Sequence, residues 1–262
     1  MINIKGLWKQ YGKLQVLKGL DLFVKKGETL VILGRSGVGK SVLLKQIIGI
    51  EKPDAGSVEI ENCNIVKMKE AERSNFLRGM GMLFQGAALF DSMTVRDNTA
   101  FHLMEHGNVA TGEPYSESEI DDLVAEVLES VDLAGTQNKM PSDLSGGMRK
   151  RAGLARIIVY RPKILLYDEP TTGLDPITAT QISDIIIGIQ KELDATSIVV
   201  THDIRSALRV ADRLAIHHDG RILHVAKKEE FFQIDEPLIQ SFISNAFPEK
   251  GTFANLGAAV DD

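Results

Sequence analysis

One stretch of this sequence combines the residue types that hold nucleotide phosphates. Residues 34–41 read GRSGVGKS, which places two glycines, a lysine and a serine at the spacing G-x-x-x-x-G-K-S. The glycines let main-chain N–H groups close around phosphate oxygens, a lysine ammonium neutralises their charge, and a serine hydroxyl ligates magnesium. The stretch lies between the apolar runs ETLVILG and KSVLLKQIIGI, where a strand would pass into a helix. We expect phosphate contacts from Gly34, Arg35, Ser36, Gly37, Val38, Gly39, Lys40, Ser41 and Val42.

Two carboxylates follow a second buried strand. The stretch ILLYDEP places Asp168 and Glu169 directly after an apolar run. Beside a phosphate loop, the first carboxylate would hold magnesium and the second would orient or deprotonate an attacking water. A strand that ends in acidic residues is common, so it is the combination with residues 34–41 that predicts a nucleotide-hydrolysing site.

Three further polar residues are uninformative when each is taken alone. His202 ends the strand-like run VVTHD, where an imidazole could reach a terminal phosphate but could equally be a surface residue. Gln85 follows the run MLF. Asp175 could simply cap the helix that begins at Pro176.

A second helix start also has the residue types that attract anions. In DLSGGMRKRAGLARII, residues 143–158, a serine and two glycines open a basic helix. The stretch lies about a hundred residues after the first phosphate loop, so one small domain would contain two phosphate-binding helix starts. Met148, which follows the glycines, could pack with the apolar face of that helix.

The elements around these motifs alternate between strand and helix patterns. The first thirty residues predict short strands with turns at Gly12, Gly19 and Gly27. After Pro162 the runs KILLYDEP and TSIVVTHD flank the helical PITATQISDIIIGIQKEL, and a hairpin with a turn at Asp219-Gly220 follows. Alternating strands and helices predict an α/β fold with a mainly parallel sheet covered on both faces.

Residues 86–157 interrupt this alternation with a largely helical pattern. SESEIDDLVAEVLESVDL begins with acidic residues, as helix N-termini often do. Its apolar residues recur at helical spacing, at Ile120, Leu123, Val124, Val127 and Leu128. We interpret the block as a helical subdomain inserted into the α/β core.

Composition limits the function classes. The 262 residues carry a net charge of −6, which argues against non-specific nucleic-acid binding. One cysteine, Cys63, excludes an internal disulfide. The N-terminal MINIKGLWKQYGK lacks the apolar region of a signal peptide, and no apolar run approaches the roughly 18 residues of a membrane span. We therefore expect contact with a membrane only through a partner.

The order of these motifs resembles that of the ATP-binding subunit of ABC transporters, over about residues 1–245. The phosphate loop, Gln85, LSGG, the DE strand, GLDP and His202 occur in that family's order, and LSGG is specific to it. The resemblance implies a P-loop NTPase fold with an N-terminal antiparallel β subdomain and a helical subdomain at about 86–157. It implies a nucleotide-binding domain over residues 1–246, a tail over 247–262, and ATP hydrolysis with Mg²⁺ coupled to transport.

The family's residue roles apply where the residues match. Tyr11 would stack on adenine, Gln85 would touch Mg²⁺ and face the membrane subunit, and His202 would be the switch histidine beside the catalytic Lys40 and Glu169. Magnesium would be held by Ser41, Gln85 and Asp168. Ser145, Gly146 and Gly147 would form the signature, and Asp175 would cross between subunits. Two copies would pair head to tail, so that the signature of one closes the ATP on the phosphate loop of the other.

A narrower resemblance is to the ATPases of Mla-type lipid transporters. It rests on MLFQGAALFDSMTVRDNTAFHLMEH, on KMPSDLSGGM, and on methionine in place of the usual glutamine after LSGG. It implies phospholipid transport between bacterial membranes with a permease and an MCE-domain protein. The chain would then lie in the cytoplasm, peripheral on the cytoplasmic face of the inner membrane.

Other functions stay open alongside lipid transport. One is an importer ATPase for an amino acid or another small solute. Another is a soluble ABC protein acting on ribosomes or DNA, although those carry two cassettes or a long coiled coil. A third is an ATP-binding scaffold, against which Lys40, Asp168, Glu169 and His202 argue. The tail is either unstructured or packs on a neighbouring subunit through Phe253 and Leu256.

Overall fold

The computed structural model describes residues 1–108 and 111–246, with no account of the side chains of residues 245 and 246. The expectations for the tail, including Phe253 and Leu256, lie outside the described residues. The strands are β1 (Ile2–Tyr11), β2 (Leu14–Val24), β3 (Thr29–Leu33), β4 (Ala55–Ile60), β5 (Cys63–Asn64), β6 (Met80–Leu83), β7 (Ile164–Asp168), β8 (Thr196–Thr201), β9 (Arg213–His218) and β10 (Arg221–Lys227). The helices are α1 (Lys40–Ile47), α2 (Glu70–Leu77), α3 (Val95–His106), α4 (Glu117–Ser130), α5 (Gly146–Ile158), α6 (Pro176–Leu193), α7 (Ile204–Val210), α8 (Lys228–Phe231) and α9 (Pro237–Ala246).

A six-stranded sheet forms the centre of the chain, in the order β10-β9-β3-β8-β7-β6. The pairs from β9 to β6 are parallel, and β10 adds one antiparallel edge strand. Every residue of β3, β6, β7 and β8 is buried, as expected where helices cover both faces of a parallel sheet. The predicted mainly parallel α/β core is confirmed.

The strand order determines which polar residues can meet. β3 leads into residues 34–41, β8 leads to His202, β7 ends at Asp168, and β6 leads to Gln85. These four strands are consecutive neighbours in the sheet. Since parallel strands end at the same edge, their loops converge there, which is where open α/β sheets bind ligands.

A second, antiparallel sheet has the order β2-β1-β4-β5, as predicted for the N-terminal region. Its strands are longer than expected, because β2 runs through Gly19 instead of turning there. Gly19 has φ +71°, and a Cβ at this position would lie 3.2 Å from the Trp8 ring. The glycine therefore serves a close cross-strand packing contact, and the predicted turn at this position was wrong.

Three helices, α3, α4 and α5, pack together within residues 86–158. α3 and α4 each begin with a capping box, from Thr94 and Asp97 and from Ser116 and Glu119. The buried face of α4 consists of Ile120, Val124 and Leu128. Within the described ranges, no helix is both long and apolar enough to cross a membrane.

Glycine at position 56 has a steric cause that can be tested. Its φ is +96°, and a Cβ there would overlap the Gly6 carbonyl. We expect Gly56→Ala to lower the free energy of unfolding by about 2 kcal/mol or more, because both the backbone conformation and the contact oppose a side chain. Denaturant unfolding followed by circular dichroism measures the change.

A matched control is Gly188→Ala in the middle of α6. A Cβ at Gly188 meets no atom within 4 Å. This substitution should raise the free energy of unfolding by up to about 1 kcal/mol, since alanine is the better helix former. Equal unfolding midpoints for the two variants would contradict the steric explanation.

Candidate functional site

Residues 34–39 form a tight loop between β3 and α1, and Lys40 and Ser41 begin the helix. Gly37 and Gly39 have φ values of +81° and +105°, a backbone region that favours glycine. A Cβ at Gly34 would lie 2.8 Å from the His217 carbonyl oxygen, and one at Gly39 would lie 2.6 Å from a methyl group of Val16. The loop therefore lies directly on β9 and β2 and has no room for larger residues at these two positions.

The ammonium group of Lys40 lies inside this loop, against its first two residues. The side chain is buried, and Nζ donates to the carbonyl oxygens of Gly34 at 2.7 Å and Arg35 at 3.0 Å. The same ammonium lies 3.2 Å from Glu169 Oε1. A cation held inside a glycine loop is well suited to bind phosphate oxygens.

The two oxygen atoms predicted for magnesium are in contact. Ser41 Oγ donates to Asp168 Oδ1 at 2.8 Å. Burial raises the pKa of the Asp168 carboxyl, and the hydrogen bond from Ser41 only partly offsets this rise. A divalent cation beside Asp168 would favour the ionised carboxylate.

Gln85, the third predicted magnesium ligand, has an exposed side chain after β6. Among the described residues it makes no hydrogen bond to Ser41 or Asp168. The described residues also contain no cluster of three His, Cys, Asp or Glu side chains that could hold a metal. A hydroxyl and a carboxylate oxygen are ligand types that suit Mg²⁺ beside a nucleotide phosphate, as the Ser41–Asp168 pair would provide.

Glu169 is held from several sides. Its Oε2 accepts hydrogen bonds from Thr172 Oγ1 at 2.9 Å and Thr201 Oγ1 at 3.3 Å, and lies 2.8 Å from His202 Nδ1. Burial raises the pKa of Glu169, but the Lys40 ammonium, His202 and the Thr172 hydrogen bond outweigh it and lower the pKa below its usual value. Glu169 is therefore an ionised carboxylate able to orient a water or accept its proton.

A cavity of about 580 Å³ adjoins this group on the side of α7 and α9. His202 is 46% exposed and borders the cavity, so its ring reaches both Glu169 and open space. The remaining lining residues are Arg35, Ser36, Asp203, Ile204, Arg205, Leu238, Ser241 and Phe242.

The predicted signature residues lie at the start of α5. Ser145 caps α5 by accepting a hydrogen bond from the Met148 N–H at 3.3 Å. A Cβ at Gly147 would lie 2.6 Å from a methyl group of Thr178, at the start of α6. Met148 is half-buried and packs against the helical core.

Asp175 is the cap of α6. Its Oδ1 accepts hydrogen bonds from the N–H groups of Ile177 at 3.1 Å and Thr178 at 3.0 Å. Because Thr178 contacts both Asp175 and Gly147, the two elements expected to cross between subunits lie side by side on one surface.

Tyr11 is 44% exposed at the end of β1. Its hydroxyl donates to Glu51, and the Lys9 ammonium lies 5.5 Å from the ring centroid. Burial and the hydrogen bond and charge of Glu51 raise the pKa of Tyr11 to about 12. The adenine-stacking role of Tyr11 stays a prediction.

Sequence reasoning missed several residues of this region. Thr172 and Thr201 are adjacent in sequence to recognised motifs, so their contact with Glu169 could have been anticipated. His217 is fully buried against the phosphate loop, and burial and the neighbouring Lys40 and His218 lower its pKa to about 4. Lys150 lies within a basic run, which is typical of a solvated helix face, yet it is buried.

Comparison with known proteins identifies the family of the chain. The family model described as ABC transporter matches residues 17–172. A Mycobacterium leprae relative, named "Probable ribonucleotide transport ATP-binding protein mkl", is 40% identical, and the match covers 93% of this chain and 68% of the relative. The chain therefore spans about two thirds of the length of that relative.

The names of two other relatives state different transported substrates. The "Intermembrane phospholipid transport system ATP-binding protein MlaF" of Haemophilus influenzae is 37% identical, over 93% of this chain and 90% of the relative. The "Methionine import ATP-binding protein MetN" of Clostridioides difficile is 38% identical, over 88% of this chain and 70% of the relative.

A solved structure matches the fold. It is a dimeric post-hydrolysis state of the ATP-binding cassette MJ0796 bound to ADP and Pi. The TM-score is 0.80 at 30% identity, and the match covers 87% of this chain and 99% of that cassette.

Proposed function

The chain belongs to the ABC transporter family as an ATP-binding ATPase subunit, and on that premise we propose that it powers phospholipid transport between bacterial membranes. The observation that carries the hydrolytic part is the assembly of Lys40, Ser41, Asp168, Glu169 and His202 at one edge of the sheet. The lipid part rests on the match to MlaF over 90% of that relative's length.

Each residue of the group has a chemical task in this proposal. Bound ATP would supply the phosphoryl group that is transferred to water, and Ser41 and Asp168 would hold the accompanying Mg²⁺. Lys40 exchanges its contact with Glu169 for phosphate oxygens, which leaves Glu169 free to orient the attacking water. His202, 2.8 Å from Oε2, keeps that carboxylate in place.

Two copies of the chain complete the sites in this proposal. The signature, residues 145–147, and Asp175 lie on a shared surface. In a head-to-tail homodimer, this surface would close over the partner's nucleotide. The similarity to a dimeric cassette, 99% of which is covered by the match, supports a dimer. We take residues 1–246 as the nucleotide-binding domain.

The segment after Gln85 is the surface we assign to the permease. Arg156 lies 4.3 Å from the Phe90 ring centroid, and the Phe90 and Phe101 rings are 4.8 Å apart. The Asn98 side chain is buried and bonds to the main chain of Phe90 at 2.7 Å and 3.0 Å, so it shapes the segment from inside. In this proposal, the contact between this segment and the permease would hold the chain on the cytoplasmic face of the inner membrane.

Purification of the tagged chain from detergent-solubilised membranes tests the proposal. We expect a permease and an MCE-domain protein to co-purify, with bound phospholipid.

Import of a small solute is the second candidate, favoured by the similarity to MetN. A permease that co-purifies without an MCE-domain protein or lipid would contradict lipid transport and support import.

A further inference from the structure

Lys150 joins two segments of the site that no motif connects. It lies on α5, five residues after Ser145, and its side chain is 6% exposed. Its ammonium donates to the main-chain carbonyl of Gln85 and, at 3.3 Å, to that of Glu169. One side chain therefore contacts both the segment after β6 and the segment after β7.

These two carbonyls lie where the ladder between β6 and β7 stops. The parallel pairing runs from Met80–Ile164 to Leu83–Tyr167, and beyond it Asp168 still pairs with Val200 of β8. Carbonyls beyond the end of a ladder take their hydrogen bonds from other donors. Lys150 donates to the carbonyls of both segments, and the Glu169 carbonyl also accepts from the Thr172 N–H at 3.3 Å.

The Glu169 contact also supports an unfavourable backbone conformation. Glu169 has φ +49°, in the left-handed region that side chains disfavour. Such a conformation persists only where surrounding contacts hold it. The Glu169 N–H donates to the Val200 carbonyl at 2.9 Å, and the Glu169 carbonyl accepts from the Thr172 N–H and from Lys150, each at 3.3 Å.

We propose that Lys150 is a positioning residue, which fixes the main chain of Glu169 against that of Gln85 and thereby sets the direction of the Glu169 carboxylate. The inference rests on the proposed hydrolytic role of Glu169. It predicts that Lys150 affects the hydrolysis step and leaves ATP binding nearly unchanged.

The test compares Lys150→Met, which keeps most of the volume but has no donor, with Lys150→Arg, which keeps donors and charge. For Lys150→Met we expect kcat to fall roughly 10- to 100-fold with KM for ATP near its original value. Hydrogen exchange without nucleotide should accelerate in residues 84–88 and 169–172, while β3 and β8 exchange as before. Lys150→Arg should recover most of both readouts.

Arg151→Met is the matched control on the same helix. Arg151 pairs with Asp132 at 3.2 Å and donates to Gln181 at 2.8 Å. Within the described part of the chain it makes no hydrogen bond to the β6 or β7 segments, so kcat and exchange there should be unchanged. Unchanged exchange in Lys150→Met, a rise in KM instead of a fall in kcat, or no recovery in Lys150→Arg would overturn the proposal. The exchange comparison needs no ATPase activity, so it decides the role of Lys150 even if the proposed function fails.

Discussion

Glu169→Gln is expected to lower the rate of ATP hydrolysis roughly 100- to 10,000-fold, the range typical of losing a general base. An amide at this position keeps the shape of the side chain but cannot accept a proton from water. Hydrogen bonds from Thr172 and Thr201 still have an oxygen to bind, so the local structure should persist. ATP binding should continue, because the loop at residues 34–41 is unchanged.

Because this variant binds ATP without hydrolysing it, its closed dimer should accumulate. Light scattering with Mg-ATP would detect a doubled mass, and phosphate release would measure turnover. Glu129→Gln, an exposed position on α4, controls for the loss of a carboxylate and should hydrolyse ATP normally. Full turnover by Glu169→Gln would refute the assignment of Glu169.

Lys40→Ala should impair both binding and hydrolysis. Its ammonium is the buried cation of the loop, and losing one preorganised charge contact at a transition state costs about 3–4 kcal/mol, or roughly a 100- to 1,000-fold loss in rate. Unlike Glu169→Gln, this variant should also bind ATP more weakly, because the phosphates lose their cationic partner. Equilibrium nucleotide binding and steady-state kcat/KM together separate the two variants.

Lys45→Ala is the control for this substitution, on the same helix α1. Lys45 is 40% exposed and lies 3.4 Å from Glu51, a surface pair that contributes little. It should have almost unchanged kinetics. If Lys40→Ala behaved like Lys45→Ala, the phosphate role of Lys40 would be wrong.

Local patterns in the sequence were enough to locate several elements. α6 spans Pro176–Leu193, which is the predicted PITATQISDIIIGIQKEL, because proline and Asp175 mark its start and helical periodicity continues to its end. The hairpin turn at Asp219 and Gly220 has φ values of +45° and +75°, as the Asp-Gly pair predicts.

Other elements lacked such local signals. β6 has only four residues, one of them glycine, and it is buried on both faces, so no alternation distinguishes it from the helical block that follows. α9 has an apolar face, but the charged residues that precede it obscure its start in the sequence. These elements depend on tertiary contacts that a short window of sequence does not contain.

The site was predictable in its members but not in its contacts. Motif spacing indicated Lys40, Asp168, Glu169 and His202. Motif spacing could not indicate that Glu169 contacts both Lys40 and His202. Each of these two residues is more than thirty positions from Glu169 in the sequence and follows a different strand. The burial of Lys150 could not be predicted either, because a lysine between two arginines normally faces solvent.

Helix α5 has a consequence for genetic complementation. In the proposed head-to-tail dimer, Ser145 acts in trans, on the nucleotide of the other subunit, whereas Lys150 acts in cis, on its own chain's Glu169. A subunit defective at Lys150 should therefore fall in the same complementation class as one defective at Lys40. A subunit defective at residues 145–147 belongs to the opposite class, although only about 7 Å of helix separates the two positions.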